Sequence, residues 1–395
     1  MYDLNHLRQR EFPHSAEHVY LHHAGISPLP QSVKTAVIQA AEGLANNPGQ
    51  FFGDTLMDTY DQFRADAAVL INAAEPAEIV RVTTTSLAIN AVAQAIAWEP
   101  GDSIAFCEVE FPSNAYPWLS LERDGVAIKT ATAVNGGHTL AELEKLVDDN
   151  TRLVAASAIQ FLSGHRTDLQ AIGNFCHERG ILFAVDAIQA IGHMPIDVQA
   201  MHIDILATGG QKSLLAPPGT GFLYVRREVA EQMQPRQIGA NSTVEFLHWL
   251  DYDMTPLPGA DRFDMGTPNV TGVMAMAASV KLLQSLGIEH IDAHTRRLTA
   301  VAAQHLTELG FAVLTPVASG DYGPICTFAT GLSSEETDDL VSRLARRGIT
   351  VCKHLDAPGN AYIRVSFHAY NTEAEVAQFM AALKAEMEKP AVETR

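Results

Sequence analysis

An apolar run that ends in an acid constrains this chain most. Ile181-Leu182-Phe183-Ala184-Val185 reads as a buried strand, and Asp186 follows it with no cationic neighbour in sequence. A carboxylate in that position is costly unless it holds a cation. A second apolar segment, Ile203-Asp204-Ile205-Leu206-Ala207, then runs into Thr208-Gly209-Gly210-Gln211-Lys212-Ser213. The loop Ala216-Pro217-Pro218-Gly219-Thr220-Gly221 and the apolar Phe222-Leu223-Tyr224-Val225 come next. Strand, lysine, tight loop and strand present one amine on a rigid turn, which is how a protein offers a Schiff-base nucleophile.

A lone lysine among glycines is usually a solvated charge, so the case rests on its company. Pyridoxal phosphate (PLP) chemistry needs an acid beneath a protonated pyridine nitrogen and a lysine on the aldehyde. Asp186 and Lys212 supply both. Ile79 to Val82 is a short strand running into Thr83-Thr84-Thr85-Ser86 at the start of a helical stretch, Leu87 to Trp98. Hydroxyls and free N–H groups at a helix N-terminus make an anion site, and also make an ordinary N-cap. Tyr362-Ile363-Arg364-Val365-Ser366 places an Arg inside an apolar strand, where it needs either a structural ion pair or a ligand carboxylate. His22-His23 lie in a loop broken by Gly25, Pro28 and Pro30, with no third ligand at metal spacing.

Strand and helix patterns alternate through most of the chain, with strands at Asp102–Cys107, Val126–Ala131 and Leu153–Ser157 and helices at 31–46, 51–74, 139–148 and 168–179. Polar residues gather where strands end, which predicts a mainly parallel α/β sheet with its site at the carboxyl edge. Residues 1–20 read as an N-terminal arm packing with a small domain, 21–270 as the large domain, and 271–395 as a small C-terminal α/β domain entered by a helix over 270–287. The segment Pro235 to Pro268 is long, irregular and rich in aromatics, which points to function or an interface.

Of 395 residues, 47% are hydrophobic and 18% charged, and the formal net charge is -19. That balance suits a globular core and argues against nucleic acid or an anionic membrane as partner. Four scattered cysteines and a polar N-terminus without an apolar run fit a cytoplasmic protein with neither a disulfide framework nor a metal site. Gln211 stands where a nucleotide P-loop requires glycine, and no Gly-x-Gly-x-x-Gly follows the first strand.

The order Thr84-Thr85, Glu110 to Asn114, Asp186-x-x-Gln189, Gly210-Gln211-Lys212, Gly266-Thr267-Pro268 and Arg364 closing in Tyr370-Asn371-Thr372 resembles the class V aminotransferase group of fold-type I PLP enzymes. That group includes cysteine desulfurases, selenocysteine lyases, cyst(e)ine C–S lyases, kynureninases and isopenicillin N epimerase-like proteins. The resemblance runs from about Tyr20 to Phe379. It implies a fold-type I large domain with a seven-stranded sheet. It also implies a Schiff base on Lys212, Asp186 under the pyridinium, Gln189 on the ring hydroxyl and Phe111 stacked on the ring. Thr84, Thr85 and, from the neighbouring subunit of a homodimer, Thr267 would bind phosphate, with Gln211 in the same cup. Gln160 matches a ring-oxygen ligand, and Arg364 matches the arginine that takes the substrate's α-carboxylate.

The departures matter as much. Desulfurases carry His before the lysine, where this chain has Gln211, and a longer loop with a sulfur-accepting cysteine where Lys353 to Ala361 has none; Cys352 falls earlier, within a strand. Side-chain pocket candidates are His22, His23, His165 and Arg166, the last suited to a second anionic group on the substrate. The expected activity is a C–S or C–Se lyase acting on an amino acid. An aminotransferase or epimerase, and a PLP-binding regulatory protein without turnover, are the alternatives.

Overall fold

The computed structural model describes residues 2–244 and 250–388. After a two-residue strand β1 (Val19–Tyr20), seven strands form the main sheet: β2 (Ile79–Val82), β3 (Ser103–Cys107), β4 (Ala127–Ala131), β5 (Thr151–Ser157), β6 (Leu182–Asp186), β7 (Ile205–Gly209) and β8 (Gly221–Val225). Their order is β2-β8-β7-β6-β5-β3-β4. β3 to β7 pair in parallel, and β8 alone runs against its neighbours β2 and β7. Alternation along one strand divides the core between the two sheet faces. Val154, Phe183 and Val185 belong to one apolar cluster, while Leu153, Ala155 and Ala184 belong to the other.

A second sheet is antiparallel, in the order β12-β13-β10-β9. Its strands are β9 (Ala312–Val313), β10 (Ile325–Ala329), β12 (Cys352–Leu355) and β13 (Ala361–Ser366), with β11 (Ile349–Thr350) pairing instead with β1. The stretch Ile349 to Cys352 thus splits between two sheets. Helices Ile288–Glu308, Ser334–Arg346 and Glu373–Met387 cover one face of this sheet, and Ile363, Val365, Phe328 and Leu383 form the core between them. Capping boxes at Ser333/Glu336 and Thr372/Glu375 fix two of those helix starts.

Other boundaries moved for local reasons. The helix expected over 51–74 opens as a π turn, Phe51–Leu56, before Met57–Ile71, and the one over 139–148 is only Leu140–Glu144. The arm to residue 18 contains a helix, Leu4–Glu11, capped by the Asp3 carboxylate accepting from His6 N at 3.0 Å. Its polar composition hid a single apolar stripe: Leu7 and Phe12 are buried. Within 235–268, residues 245–249 lie outside the described residues, and Leu250, Tyr252 and Met254 stand 90%, 83% and 60% exposed. No single helix of the described residues is long and apolar enough to cross a membrane.

The arm is tied to the segment after β13. Phe12 stacks on Tyr370 with centroids 4.1 Å apart, and Arg8 donates to Tyr370 O at 2.8 Å and to Glu375 at 2.9 Å. Phe12→Ala removes a fully buried ring from this stack. It is expected to cost about 3–5 kcal/mol of stability. Thermal unfolding of the variant, with a midpoint well below that of wild type, checks this.

Candidate active site

Asp186 is the last residue of β6, 3% exposed, with one oxygen accepting from Ile188 N at 3.0 Å. Burial pushes its carboxyl up to about 7, only partly offset by that N–H and by Lys212, while the Glu110 charge adds to the rise. No cation forms an ion pair with it among the described residues. The lysine turn leaves β7 and is pinned at every step. Gly210 N donates to Thr220 O at 2.7 Å, Ser27 N to Gln211 O at 2.8 Å, Ser213 Oγ to Ile188 O at 2.8 Å, and Leu215 N to Lys212 O at 3.1 Å. Leu215 is held at φ +55°, a conformation a leucine adopts only when its surroundings impose it. From below, His368 Nε2 donates to Ser213 O at 2.9 Å, while Nδ1 accepts from Ala369 N, which fixes the tautomer. Burial, reinforced by Arg364 and opposed by Asp186, brings the Lys212 amine down to about 8. Its Nζ lies 5.2 Å from the centre of the Phe111 ring.

The helix Thr85–Ala95 follows β2 directly, and Thr84 caps it by accepting from Leu87 N at 3.1 Å. Thr85 is different: its hydroxyl is buried and has no partner. Across from it, a methyl group on Gly209 would stand 2.7 Å from Gln211 Oε1 and 3.3 Å from Thr85 Oγ1. Both polar side chains therefore close over the same bare glycine, beside the positive end of the helix.

Phe111 follows β3 and is 39% exposed, its ring meeting Phe161 edge-on at 5.1 Å. Beside it, Glu110 is buried and accepts from Ser157 N at 2.9 Å, from Asn114 Nδ2 at 2.9 Å, from Gln160 Nε2 at 2.8 Å and from the Ser157 hydroxyl. The motif around Glu110 was visible in sequence, but its function as a clamp was not. Gln160 donates one amide hydrogen to Glu110 and keeps a buried carbonyl oxygen without a hydrogen-bond partner. Gln189 Nε2 donates to Ala24 O at 2.9 Å, tying the 22–27 loop to the end of β6.

Arg364 projects from β13, 3% exposed. It donates to Phe161 O at 2.6 Å, its Nε is buried without a partner, and no carboxylate pairs with it among the described residues. Burial lowers its pKa to about 10. A guanidinium kept dry and without a carboxylate has the donors to grip one.

Three expected pocket residues do not face this cleft. Arg166 grips Asp292 with two bonds at 2.9 and 2.8 Å, a structural ion pair to the helix Ile288–Glu308, so it is no free second cation. His23 is 1% exposed, bonded to Ser27 Oγ at 2.9 Å and packed on Tyr20, Tyr370 and His368. His165 is held under the 134–138 turn, its Nε2 bonding His138 O at 3.1 Å. Thr267 lines a cavity of about 320 Å³ together with Thr83, Gly219 and Asn269, whose lining includes neither Lys212 nor Asp186. His22 and His354, in contrast, sit close enough to Arg364 and Lys212 to feel both charges. Among the described residues, no group of three or more His, Cys, Asp or Glu is placed to hold a metal ion.

The chain matches Aminotransferase class-V over residues 19–379. It belongs to that family. A protein named "Probable cysteine desulfurase" from Methanothermobacter thermautotrophicus is 30% identical over 381 residues, covering 93% of this chain and 94% of the relative. Among solved structures, the cysteine desulfurase CsdA from Escherichia coli superposes with a TM-score of 0.88 at 26% identity, covering 98% and 99% of the two chains. The cystine C-S lyase C-DES, solved with its product cysteine persulfide, shares the fold at a TM-score of 0.85, with 22% identity and 94% and 99% coverage. The central seven-stranded sheet is that of fold-type I, and this class V enzyme is PLP-dependent.

The residues present fit that cofactor. A buried acid without a cation, a pinned amine of lowered pKa, an orphaned hydroxyl at a helix N-terminus and an exposed aromatic face are the four contacts it needs. Asp186 pays for this readiness in the cofactor-free protein. Its folded pKa lies above its unfolded value, so the native state binds the extra proton and stability falls as pH rises from about 4 to about 7. Cofactor-free Asp186→Asn should therefore unfold at a higher temperature than cofactor-free wild type at pH 7.5, with the gap closing below pH 4, while holding PLP more weakly. Paired melting curves across pH, with a PLP titration, check both halves.

Proposed function

We propose that this enzyme is a C–S lyase of the cysteine desulfurase-like kind, acting on an amino acid that bears sulfur or selenium. The observation that carries the reading is the burial, in one cleft, of an acid, an amine and a guanidinium that do not pair with one another. Bound there, PLP supplies the electron sink that weakens the bonds at the substrate's Cα. Lys212, with its pKa near 8, exists partly as the free amine at neutral pH and can take and return the proton at Cα. Arg364 fixes the α-carboxylate and so decides which Cα bond stands perpendicular to the cofactor plane. Names of relatives support sulfur chemistry. The hairpin between β12 and β13 has no cysteine at its tip, which favours direct release of the side chain over its transfer to a loop thiol.

Purified wild type should be yellow, and borohydride should fix the cofactor on Lys212. Lys212→Ala should lose the fixation and at least 10³-fold in turnover. Pyruvate, ammonia and sulfide released together from cysteine-like substrates check the lyase assignment. Conversion of the cofactor to its amine form without loss of the side chain would make the enzyme an aminotransferase, and inversion at Cα an epimerase.

A homodimer with shared sites is part of the same proposal. Thr267 lies apart from Lys212 beside the exposed Met265, and Tyr252, Met254 and Tyr116 leave apolar surface in water. Exposed apolar side chains of this size are surface that a partner chain would cover. Co-expressed Lys212→Ala and Thr267→Ala chains should form mixed dimers with one intact site and recover activity that neither variant shows alone. No recovery would place Thr267 in its own chain's site. Free thiols at all four cysteines accord with a cytoplasmic location.

A further inference from the structure

Strand β13 presents two unlike faces. Ile363 and Val365 enter the helix-covered core, whereas Tyr362, Arg364 and Ser366 alternate to the other side. Directly paired residues of neighbouring strands share a face. In the register of β12 with β13, His354 lies opposite Tyr362 and Cys352 opposite Arg364. Beyond the start of β12, the chain at His22 takes its place through a bridge to Ser366, with Ser366 N donating to Leu21 O at 2.8 Å. His354, Cys352 and His22 therefore form a row along one flank of β13, beside Arg364. Lys353 confirms the alternation, for its amine goes to the opposite side, bonding Ser334 Oγ at 2.9 Å.

The row reaches the cleft at both ends. Cys352 Sγ lies 3.6 Å from His354 Nε2, and the His354 ring meets Phe161 edge-on at 5.8 Å. Phe161 in turn meets Phe111, whose ring centre lies 5.2 Å from Lys212 Nζ. At the other end, the His22 ring fills the space over Gly25, where a methyl group would stand 2.2 Å from Cε1, and its Nδ1 is buried without a partner. Sequence inspection set Cys352 aside because it precedes the loop, and it did not single out His354. Only the register shows that both face the same way as Arg364.

We propose that His22, Cys352 and His354 form the subsite for the side chain of the amino-acid substrate, shaped for an uncharged side chain with a soft or hydrogen-bonding atom and against a second carboxylate. This rests on the assignment of Lys212 and Arg364 made above. With Arg364 taken by the α-carboxylate and Arg166 held by Asp292, neither of these two arginines is left for another anion. Both imidazoles are neutral: burial first, then Arg364 and Lys212, push His22 down to about 4, and burial, Arg364, His22 and Lys212 push His354 down to about 3. At the outer end, Tyr362 OH donates to Asp356 at 3.0 Å, which adds an acid and no base. A second carboxylate would be buried unpaired, or would have to draw a proton onto an imidazole that burial keeps neutral, and either costs affinity. A thiol, thioether or amide meets no such penalty, because neutral imidazoles and a thiol both donate and accept.

Two measurements on the PLP-loaded enzyme test this. The first is alkylation of Cys352 by iodoacetamide, read by peptide mass spectrometry; the other three cysteines are buried. Saturating S-methyl-L-cysteine should slow it at least tenfold, whereas glycine, with the same amine and carboxylate but no side chain, should leave it nearly unchanged. Equal protection by both, protection by neither, or no labelling of the free enzyme overturns the proposal. The second is binding of asparagine and aspartate, read from the cofactor's visible band at pH 7.5. Wild type should hold asparagine at least tenfold more tightly, and His354→Arg should narrow or reverse that ratio by adding a cation. Equal binding in wild type, or an unmoved ratio in the variant, also overturns it. A wild-type band that no amino acid shifts would instead sink the assignment of Lys212 and Arg364 on which the subsite depends.

Discussion

The structure depends on three charges that are kept apart, two of them buried and the third, on Lys212, partly buried. Asp186, Lys212 and Arg364 come from the end of β6, the turn after β7 and the middle of β13, and none has an ion-pair partner among the described residues. Water would stabilise each of them far better than this cleft does. The cost appears in the shifts, an acid raised to about 7, an amine lowered to about 8 and a guanidinium lowered to about 10. Collapse into pairs would relieve it, and the scaffold prevents that collapse. The sheet holds Asp186 in register with Ser157 and Ala207, His368 and Ser27 hold the lysine turn from two sides, and Phe161 O holds Arg364. An arrangement that is poor for the free protein is thus ready for a ligand carrying the complementary charges.

How much of this was legible follows from range. The strands of the main sheet are continuous apolar runs, so they and the polar residues at their ends could be read directly, and the acid and lysine stood out because each broke such a run. Arg166 could not be resolved that way, since its partner Asp292 lies in a helix that sequence order places far away. Either a ligand or an ion pair satisfies a half-buried guanidinium, and composition does not choose between them. His22 and His23 are adjacent in sequence yet face opposite surroundings, one toward Arg364 and the other into the buried group of His368 and Tyr370. Strand pleat separates them, and pleat phase depends on a bridge to Ser366 that no local pattern announces. The hairpin of β12 and β13 hides in the same manner. Its register, not its composition, turns Cys352 and His354 toward the cleft.

Glu110 shows how the second layer of residues sets the properties of the first. It is buried, and burial raises its pKa, but four donors from Ser157, Asn114 and Gln160 oppose the rise. Those donors are satisfied only by a group that accepts at both oxygens, which is what a carboxylate does. Its charge is then one of the causes that hold the Asp186 proton on. Replacing Glu110 by a neutral residue would ease that proton off, and would also free the Gln160 amide to turn its nitrogen outward. The two effects differ in kind: a more readily ionised acid at Asp186, and a side-chain amide at Gln160 released from its partner. One buried carboxyl therefore conditions both Asp186 and Gln160, though it sits at the end of neither strand that carries them.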